Sequence, residues 1–253
     1  MIHKTTIIDE SAIIGDNVTI GAYTVIGKDV VIGSDVIIGS NVFIEHVRIG
    51  NSCRIYNSAS IGTPPQDLNY NNEPSKVYIG DGTTVRELVT LNRGTKKTEK
   101  TVIGKNCYFM ASSHVAHDCR IGDNVIMANC SAAGGHVEIG DNAFISGLVG
   151  IHQFTKIGRD TMTGVGAVVT MDIIPYALCV GDRVKLDGLN LVGMKRRKIS
   201  QMEINAVKEA YRIIFKSKLL LQDALIKLEQ IQSVCVQEIV KFIRNSKRGI
   251  VRP

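Results

Sequence analysis

The sequence predicts a mainly β fold, a parallel β-helix of hexapeptide repeats followed by a C-terminal α-helical domain. Three observations carry that reading. First, every sixth residue from Ile8 to Ile44 is isoleucine, at Ile8, Ile14, Ile20, Ile26, Ile32, Ile38 and Ile44, and Gly15, Gly21, Gly27, Gly33 and Gly39 follow five of them directly. A period of six is neither helical nor that of a simple alternating strand, and it marks a solenoid of short flat strands. Second, the beat returns through Ile103, Phe109, Val115, Ile121, Met127, Ala133, Ile139, Ile145, Ile151, Ile157, Thr163 and Val169, with Thr163 the one polar exception. Third, it ends after Tyr176, and from about Ser200 the apolar residues take helical spacing, as in Ala206, Ala210, Ile213 and Ile214, then Leu221, Leu225 and Leu228.

Each hexapeptide supplies one strand and one corner, with the leading aliphatic side chain turned inward and glycine relieving the bend. Three sides close a triangular coil of 18 residues, so residues 18 apart in an unbroken run lie one above another, about 4.8 Å apart. The frame slips after Ile44, resumes at Ile49, Ile55 and Ile61, and again at Ile79, Val85 and Leu91. Two interruptions read as loops leaving the coil, Pro64 to Lys76 and Arg93 to Thr101. Long ordered excursions from a rigid scaffold are often functional. The general crossover rule favours a right-handed path, and composition does not overrule it.

The 253 residues suit one or two domains, and we place the boundary between 1–186, the β-helix, and 187–253, the helical part. No secretory signal pattern opens the sequence, and no uninterrupted apolar run reaches membrane-spanning length, so the expectation is a cytoplasmic protein without membrane insertion. Cys53, Cys107, Cys119, Cys130, Cys179 and Cys235 show no CxxC pair, which suits reduced core thiols. Charge is divided unevenly. Residues 1–182 carry 14 Lys and Arg against 18 Asp and Glu, whereas residues 183–253 carry 16 against 6. The basic tail, with Lys195, Arg196, Arg197 and Lys198 together, reads either as a solvated helix start or as a surface for an acidic partner. Nucleic acid is disfavoured because no aromatic residues interleave the basic ones and there is no tryptophan.

His117, Gly135 and Gln153 share one ladder by the 18-residue rule, as do Asp118, His136 and Phe154, and Ala116, Gly134 and His152. Four of the six histidines, His114, His117, His136 and His152, thereby gather on one side of about three coils. Imidazole is the side chain best poised for proton transfer near neutral pH. Glycine one rung away leaves an N–H open to a developing oxyanion. Acyl transfer to a hydroxyl or amine needs these two functions. Zinc is the competing use of clustered imidazoles, His114 and His117 forming H-x-x-H, but no Cys or carboxylate stands at a convincing spacing to complete a site.

Longer stretches make the chain similar to a known family. Ala59-Ser-Ile-Gly with Pro65-Gln-Asp-Leu, Ile79 to Gly94, His114-Val-Ala-His-Asp-Cys119, Ala133-Gly-Gly-His136, Ile151-His-Gln-Phe154, Gly188-Leu-Asn190 and Gly193-Met-Lys-Arg-Arg197 resemble, in this order, the bacterial acyl-[acyl-carrier-protein]–UDP-N-acetylglucosamine O-acyltransferases, which start lipid A synthesis. The resemblance implies a left-handed β-helix and a homotrimer with active sites between subunits. It casts His117 as general base and Gly135 N–H as oxyanion donor. Asp67, Asn69, His114, His136, His152 and Gln153 become substrate contacts, and Asn190 and Arg196 contacts to phosphates or nucleotide. Val165 is set where the family measures acyl-chain length. The implied donor is acyl-phosphopantetheine on acyl carrier protein, an acidic partner that suits the basic tail, and the acceptor is a UDP-sugar; no metal or bound cofactor is implied.

Two positions depart from the commonest pattern, Asn69 where many members have lysine and Val192 where many have glutamate. They bear on acceptor recognition: the resemblance implies acyl transfer to the 3-position of UDP-N-acetylglucosamine, with N-acylation of its 3-amino analogue as the alternative. Readings from other classes are a γ-class carbonic anhydrase, whose zinc needs three histidines at another spacing, and a non-catalytic scaffold. A related enzyme that N-acylates an already O-acylated UDP-sugar is a further alternative, disfavoured by the I-H-Q-F and K-R-R stretches.

Overall fold

The computed structural model describes all 253 residues. Three sheets wrap a single core. The first has nine strands, from Ile7–Ile8 to Val168–Val169, and the second eight, from Ile13–Ile14 to Lys156–Ile157. The third has ten and begins at Thr19–Ile20. Most strands are two residues long, the first facing out and the second in, so Ile26, Ile44, Val115 and Ala133 form an inward column of the first sheet.

Residues 18 apart pair in register, His114 with Ala132 and Ala132 with Gly150. One coil is a residue short, Ile32 pairing with Ile49. Two are long, Ile49 pairing with Ile79 and Ile79 with Ile103, which accommodates the two expected loops. Corners repeat a left-handed backbone conformation every six residues, at Asn17, Tyr23, Asp29, Asp35 and Asn41. Asn and Asp recur there because their short polar side chains tolerate that region. The glycine that follows the isoleucine is a requirement of stacking: a Cβ on Gly15 would lie 2.7 Å from the carbonyl carbon of Gly33 in the next coil.

The β-helix is left-handed. The crossover rule rests on twisted strands feeding a helix that packs back onto the sheet. Two-residue strands joined by short corners have little twist to impose.

After Met162–Thr163 the third sheet is completed by Ala177–Val180 and, antiparallel to it, Lys185–Leu189. The expected boundary at 186/187 falls inside this last strand. Four helices follow: α1 (Leu191–Arg196), α2 (Gln201–Lys216), α3 (Leu221–Glu229) and α4 (Val234–Arg244). Asn190, Ser200 and Ser233 cap α1, α2 and α4 by accepting from the N–H groups of Gly193, Glu203 and Val236. The run Lys195 to Lys198 therefore closes α1 and turns toward α2, rather than starting a helix. The tail then returns: Val251 N–H donates to Asp172 O (2.9 Å) and Leu186 N–H to Arg252 O (3.0 Å).

The two ends of the coil differ. At the start, the Met1 ammonium donates to Val18 O (2.8 Å) and Ile2 bridges Ile20 on the third sheet. The opening strands Ile7–Ile8 and Ile13–Ile14 have no outer neighbour, whereas the other end is closed by the hairpin, the helices and the returning tail.

All six cysteines are free. Five are buried, and burial pushes the Cys53 and Cys107 thiols up to about 11 and Cys119 to about 12. Cys130 corrects the expectation of core thiols throughout; it sits exposed at a left-handed corner. No helix is long and apolar enough to cross a membrane.

Candidate active site

Both loops leave the coil at the corner between the first and second sheets, after Ser60–Thr63 and after Thr90–Asn92. His117 and Asp118 occupy that corner on the next rung, followed by Gly135 and His136, then Gln153 and Phe154. The excursions thus fold over the histidines. Buried Arg93 joins the loops: its Nη1 donates to Glu45 Oε1 (2.7 Å) and Gly62 O (2.8 Å), and its Nε to Tyr70 Oη (3.1 Å).

The second loop holds Asp118. Thr95 N–H donates to Oδ1 (3.1 Å), Thr95 Oγ1 to Oδ2 (2.8 Å), and Thr98 Oγ1 to Oδ1, while His117 Nδ1 lies 2.7 Å from Oδ2. Burial alone would raise this carboxyl, but the hydrogen bonds from His117, Thr98 and Thr95 outweigh it and hold it at about 2. An ionised Asp118 accepts, so His117 Nδ1 carries the proton and Nε2 presents a lone pair.

That lone pair faces Gly135. A Cβ there would lie 2.6 Å from Nε2 and 2.5 Å from Cε1, so the imidazole occupies space that only glycine leaves. Gly135 is buried and its N–H has no acceptor in the chain, though its carbonyl accepts from Phe154 N–H. The ladder predicted from 18-residue spacing is thereby realised as an imidazole beside an unpaired amide.

The other histidines line the same corner and the first sheet beside it. His114 Nδ1 lies 2.7 Å from Thr90 Oγ1, and burial, with His117 nearby, pushes its pKa down. His136 stacks on Phe154 with centroids 4.6 Å apart, and its Nε2 is 3.5 Å from Asp118 Oδ2. Burial lowers His136 too, opposed by the Asp118 charge and reinforced by His117 and Lys97. His152 Nδ1 donates to Gln153 O (3.0 Å), and both residues are exposed. Phe154, at φ 65°, puts a bulky residue in a costly backbone conformation within this column.

In the first loop, Asp67 Oδ1 accepts from Asn69 N–H (2.9 Å) and Nδ2 (3.2 Å). The Asn69 N–H bond is the largest influence lowering its carboxyl, with His117 and Lys97 adding attraction. Asp67 and Asn69 therefore belong to the His117 corner. A shallow apolar groove runs from His114, Gly134 and His152 over Ala132 and Gly150. Val165 lies on the opposite corner of the first sheet, exposed, with Gly166 N–H bonded to Gly147 O. Asn190 and Arg196 are elsewhere. Asn190 Nδ2 donates to Asp160 O (2.8 Å), at the corner between the second and third sheets. One chain does not bring these two residues to His117.

Sequence reasoning missed Asp118, Thr95, Thr98 and Lys97. It also found no Cys or carboxylate at a convincing spacing to complete a metal site, yet His117, Asp118 and His136 offer ligand atoms all within 4.8 Å of one another. Both Asp118 oxygens are already engaged by Thr95, Thr98 and His117, so this donor set is organised to orient an imidazole. The available signal for Asp118 was its place directly after His117 and 18 residues before His136.

A test of the charged carboxyl follows from its sign. Because folding lowers the Asp118 pKa from 3.8 to about 2, its contribution is fully present above about pH 4 and is lost as pH falls toward 2, about 2 kcal/mol in all. Urea midpoints should therefore fall more steeply between these values for the parent chain than for Asp118→Asn. Parallel curves would remove the ionised carboxylate from the account.

Comparison with known proteins agrees with this geometry. The family described as "Udp N-acetylglucosamine O-acyltransferase; Domain 2" matches residues 172–251, and bacterial transferase hexapeptide repeats match 11–46 and 100–135. A Burkholderia mallei (strain SAVP1) acyl-[acyl-carrier-protein]–UDP-N-acetylglucosamine O-acyltransferase is 39% identical over 206 residues, covering 79% of each chain. The chain belongs to the UDP-N-acetylglucosamine O-acyltransferase family. Within it, the solved enzyme of Bacteroides fragilis 9343, described as a UDP-N-acetylglucosamine acyltransferase, has a TM-score of 0.97 at 40% identity, with both chains fully covered. The Francisella novicida UDP-N-acetylglucosamine acyltransferase has a TM-score of 0.98 at 35% identity, covering 100% of this chain and 94% of that one. The similarity to UDP-N-acetylglucosamine O-acyltransferases thus spans the coil, the corner loops and the helices together.

Proposed function

We propose that the chain transfers an acyl group from the phosphopantetheine thioester of acyl carrier protein to the 3-hydroxyl of UDP-N-acetylglucosamine, the first step of lipid A synthesis. The observation that carries this reading is the unpaired Gly135 N–H beside the free Nε2 of His117. Nε2 takes the hydroxyl proton as the sugar oxygen attacks the thioester carbonyl. Gly135 N–H donates to the oxyanion that forms, in a site where such a donor is typically worth ~10² to 10³ in rate. Collapse breaks the C–S bond, and the imidazolium returns the proton to the leaving thiolate. Asp118 keeps the imidazole in the required tautomer throughout.

In this reading Asp67, Asn69, His114, His136, His152 and Gln153 contact the substrates. Asn190 and Arg196 meet the nucleotide or phosphates from a second subunit, because within one chain they lie on another corner. A homotrimer is further supported by Tyr23, Leu88, Leu148 and Val165, large apolar residues exposed along the corner between the third and first sheets. Sedimentation equilibrium should give three chains. The basic helical segment suits the acidic carrier protein. No metal or bound cofactor takes part. The carbonic-anhydrase reading is disfavoured because the cluster of possible metal ligands holds two histidines and a carboxylate, where that zinc needs three histidines.

The deciding assay offers acyl carrier protein thioesters of graded length with UDP-N-acetylglucosamine. We expect an ester product, and for Val165→Gly a shift of the preferred donor toward longer chains, since each buried methylene is worth ~0.8 kcal/mol. No turnover with any thioester would overturn the reading. Identical rankings for parent and variant would place the length limit elsewhere.

A further inference from the structure

Beside Asp67 the sequence offers only uncharged Asn69, but the fold brings a cation within electrostatic reach of it from the other loop. Lys97 lies between Thr95 and Thr98, the two residues whose hydroxyls bind Asp118, so its backbone is fixed to the catalytic corner. Its own N–H donates to Thr95 Oγ1 (3.3 Å). The ammonium stands 5.4 Å from the centroid of the Phe154 ring, whose plane is stacked with His136. Lys97 is exposed and forms no ion pair, and Asp67 forms none either. The charge of Lys97 is felt by both Asp67 and His136, lowering the pKa of each. Lys105 and Lys156, by contrast, are paired with Asp81 and Glu138.

Resting on the acyl-transfer reading above, we propose that Lys97 is a specificity-determining residue of the acceptor pocket, whose ammonium on the Phe154–His136 stack admits a neutral 3-hydroxyl and repels a protonated 3-amine. Uncharged Asn69 leaves that discrimination to the second loop. Like charges at close range repel, and more strongly beside a protein surface than in bulk water. Asp67 alone would do the reverse, attracting a cation; Lys97 offsets it.

The experiment compares the parent chain, Lys97→Met and Lys97→Arg on two acceptors, UDP-N-acetylglucosamine and its 3-amino analogue, using one acyl carrier protein thioester from about pH 6 to about pH 9, a range that spans titration of an amine about as basic as an α-amino group. The readout is the ratio of kcat/KM for the amine to that for the hydroxyl. Lys97→Met should raise this ratio on the order of tenfold at the acid end, and the gap to the parent should close as the amine loses its proton. Lys97→Arg should keep the parent ratio. A ratio unmoved by Lys97→Met, or moved equally at every pH, overturns the inference while parent turnover leaves the acyltransfer reading standing. A parent chain that turns over neither acceptor overturns that reading and the inference with it.

Discussion

His117→Ala should lower turnover by ~10² to 10⁴, the usual contribution of a general base, with the fold intact. The corner does not need the imidazole for its ladder, because His117 contributes its carbonyl to His136 N–H (3.0 Å) through the main chain. Asp118 would lose one donor but keep Thr95 N–H, Thr95 Oγ1 and Thr98 Oγ1. Turnover with an acyl carrier protein thioester, paired with a thermal melt, checks both halves. A rate within about threefold of the parent, too small for lost base catalysis, would take His117 out of the mechanism.

Gly135→Ala should be nearly as damaging, on the order of 10² or more, although it keeps the oxyanion donor. The added methyl would lie 2.5 Å from His117 Cε1 and 2.6 Å from Nε2. The ring cannot swing aside freely, because Nδ1 is tied to an ionised carboxylate. Alanine thus displaces the base, whereas Gly135→Pro also deletes the donor. If Gly135→Ala folds and works at the parent rate, the close approach of ring and amide has no catalytic meaning.

The six-residue beat made much of this legible, because in a solenoid sequence separation is distance: Val115, Ala133 and Ile151 are stacked as counted. His117, Gly135, Asp118 and His136 followed by the same counting. The burial of Asp118 did not, since a corner Asp such as Asp35 is exposed. Asp118 is buried only because Thr95 and Thr98, more than one coil away in sequence and outside the ladder register, fold back onto it. Lys97 is hidden from the sequence for the same reason. Short α1 escaped notice because six residues carry little periodicity, and its start depends on the Asn190 cap. The tail's return to Asp172 is a tertiary contact that no local pattern announces.

The unlike ends of the coil give the molecule a direction in which it comes apart. In a one-dimensional stack each rung is stabilised only by its neighbours, so opening costs least where a rung has a neighbour on one side. The uncovered strands Ile7–Ile8 and Ile13–Ile14 are such a rung. Fraying therefore starts there and proceeds rung by rung, while the hairpin, helices and tail clamp the far end. The coils that hold His117 and Gly135 lie toward the clamp, so amide exchange can be fast over the first coils while the close approach of these two residues persists.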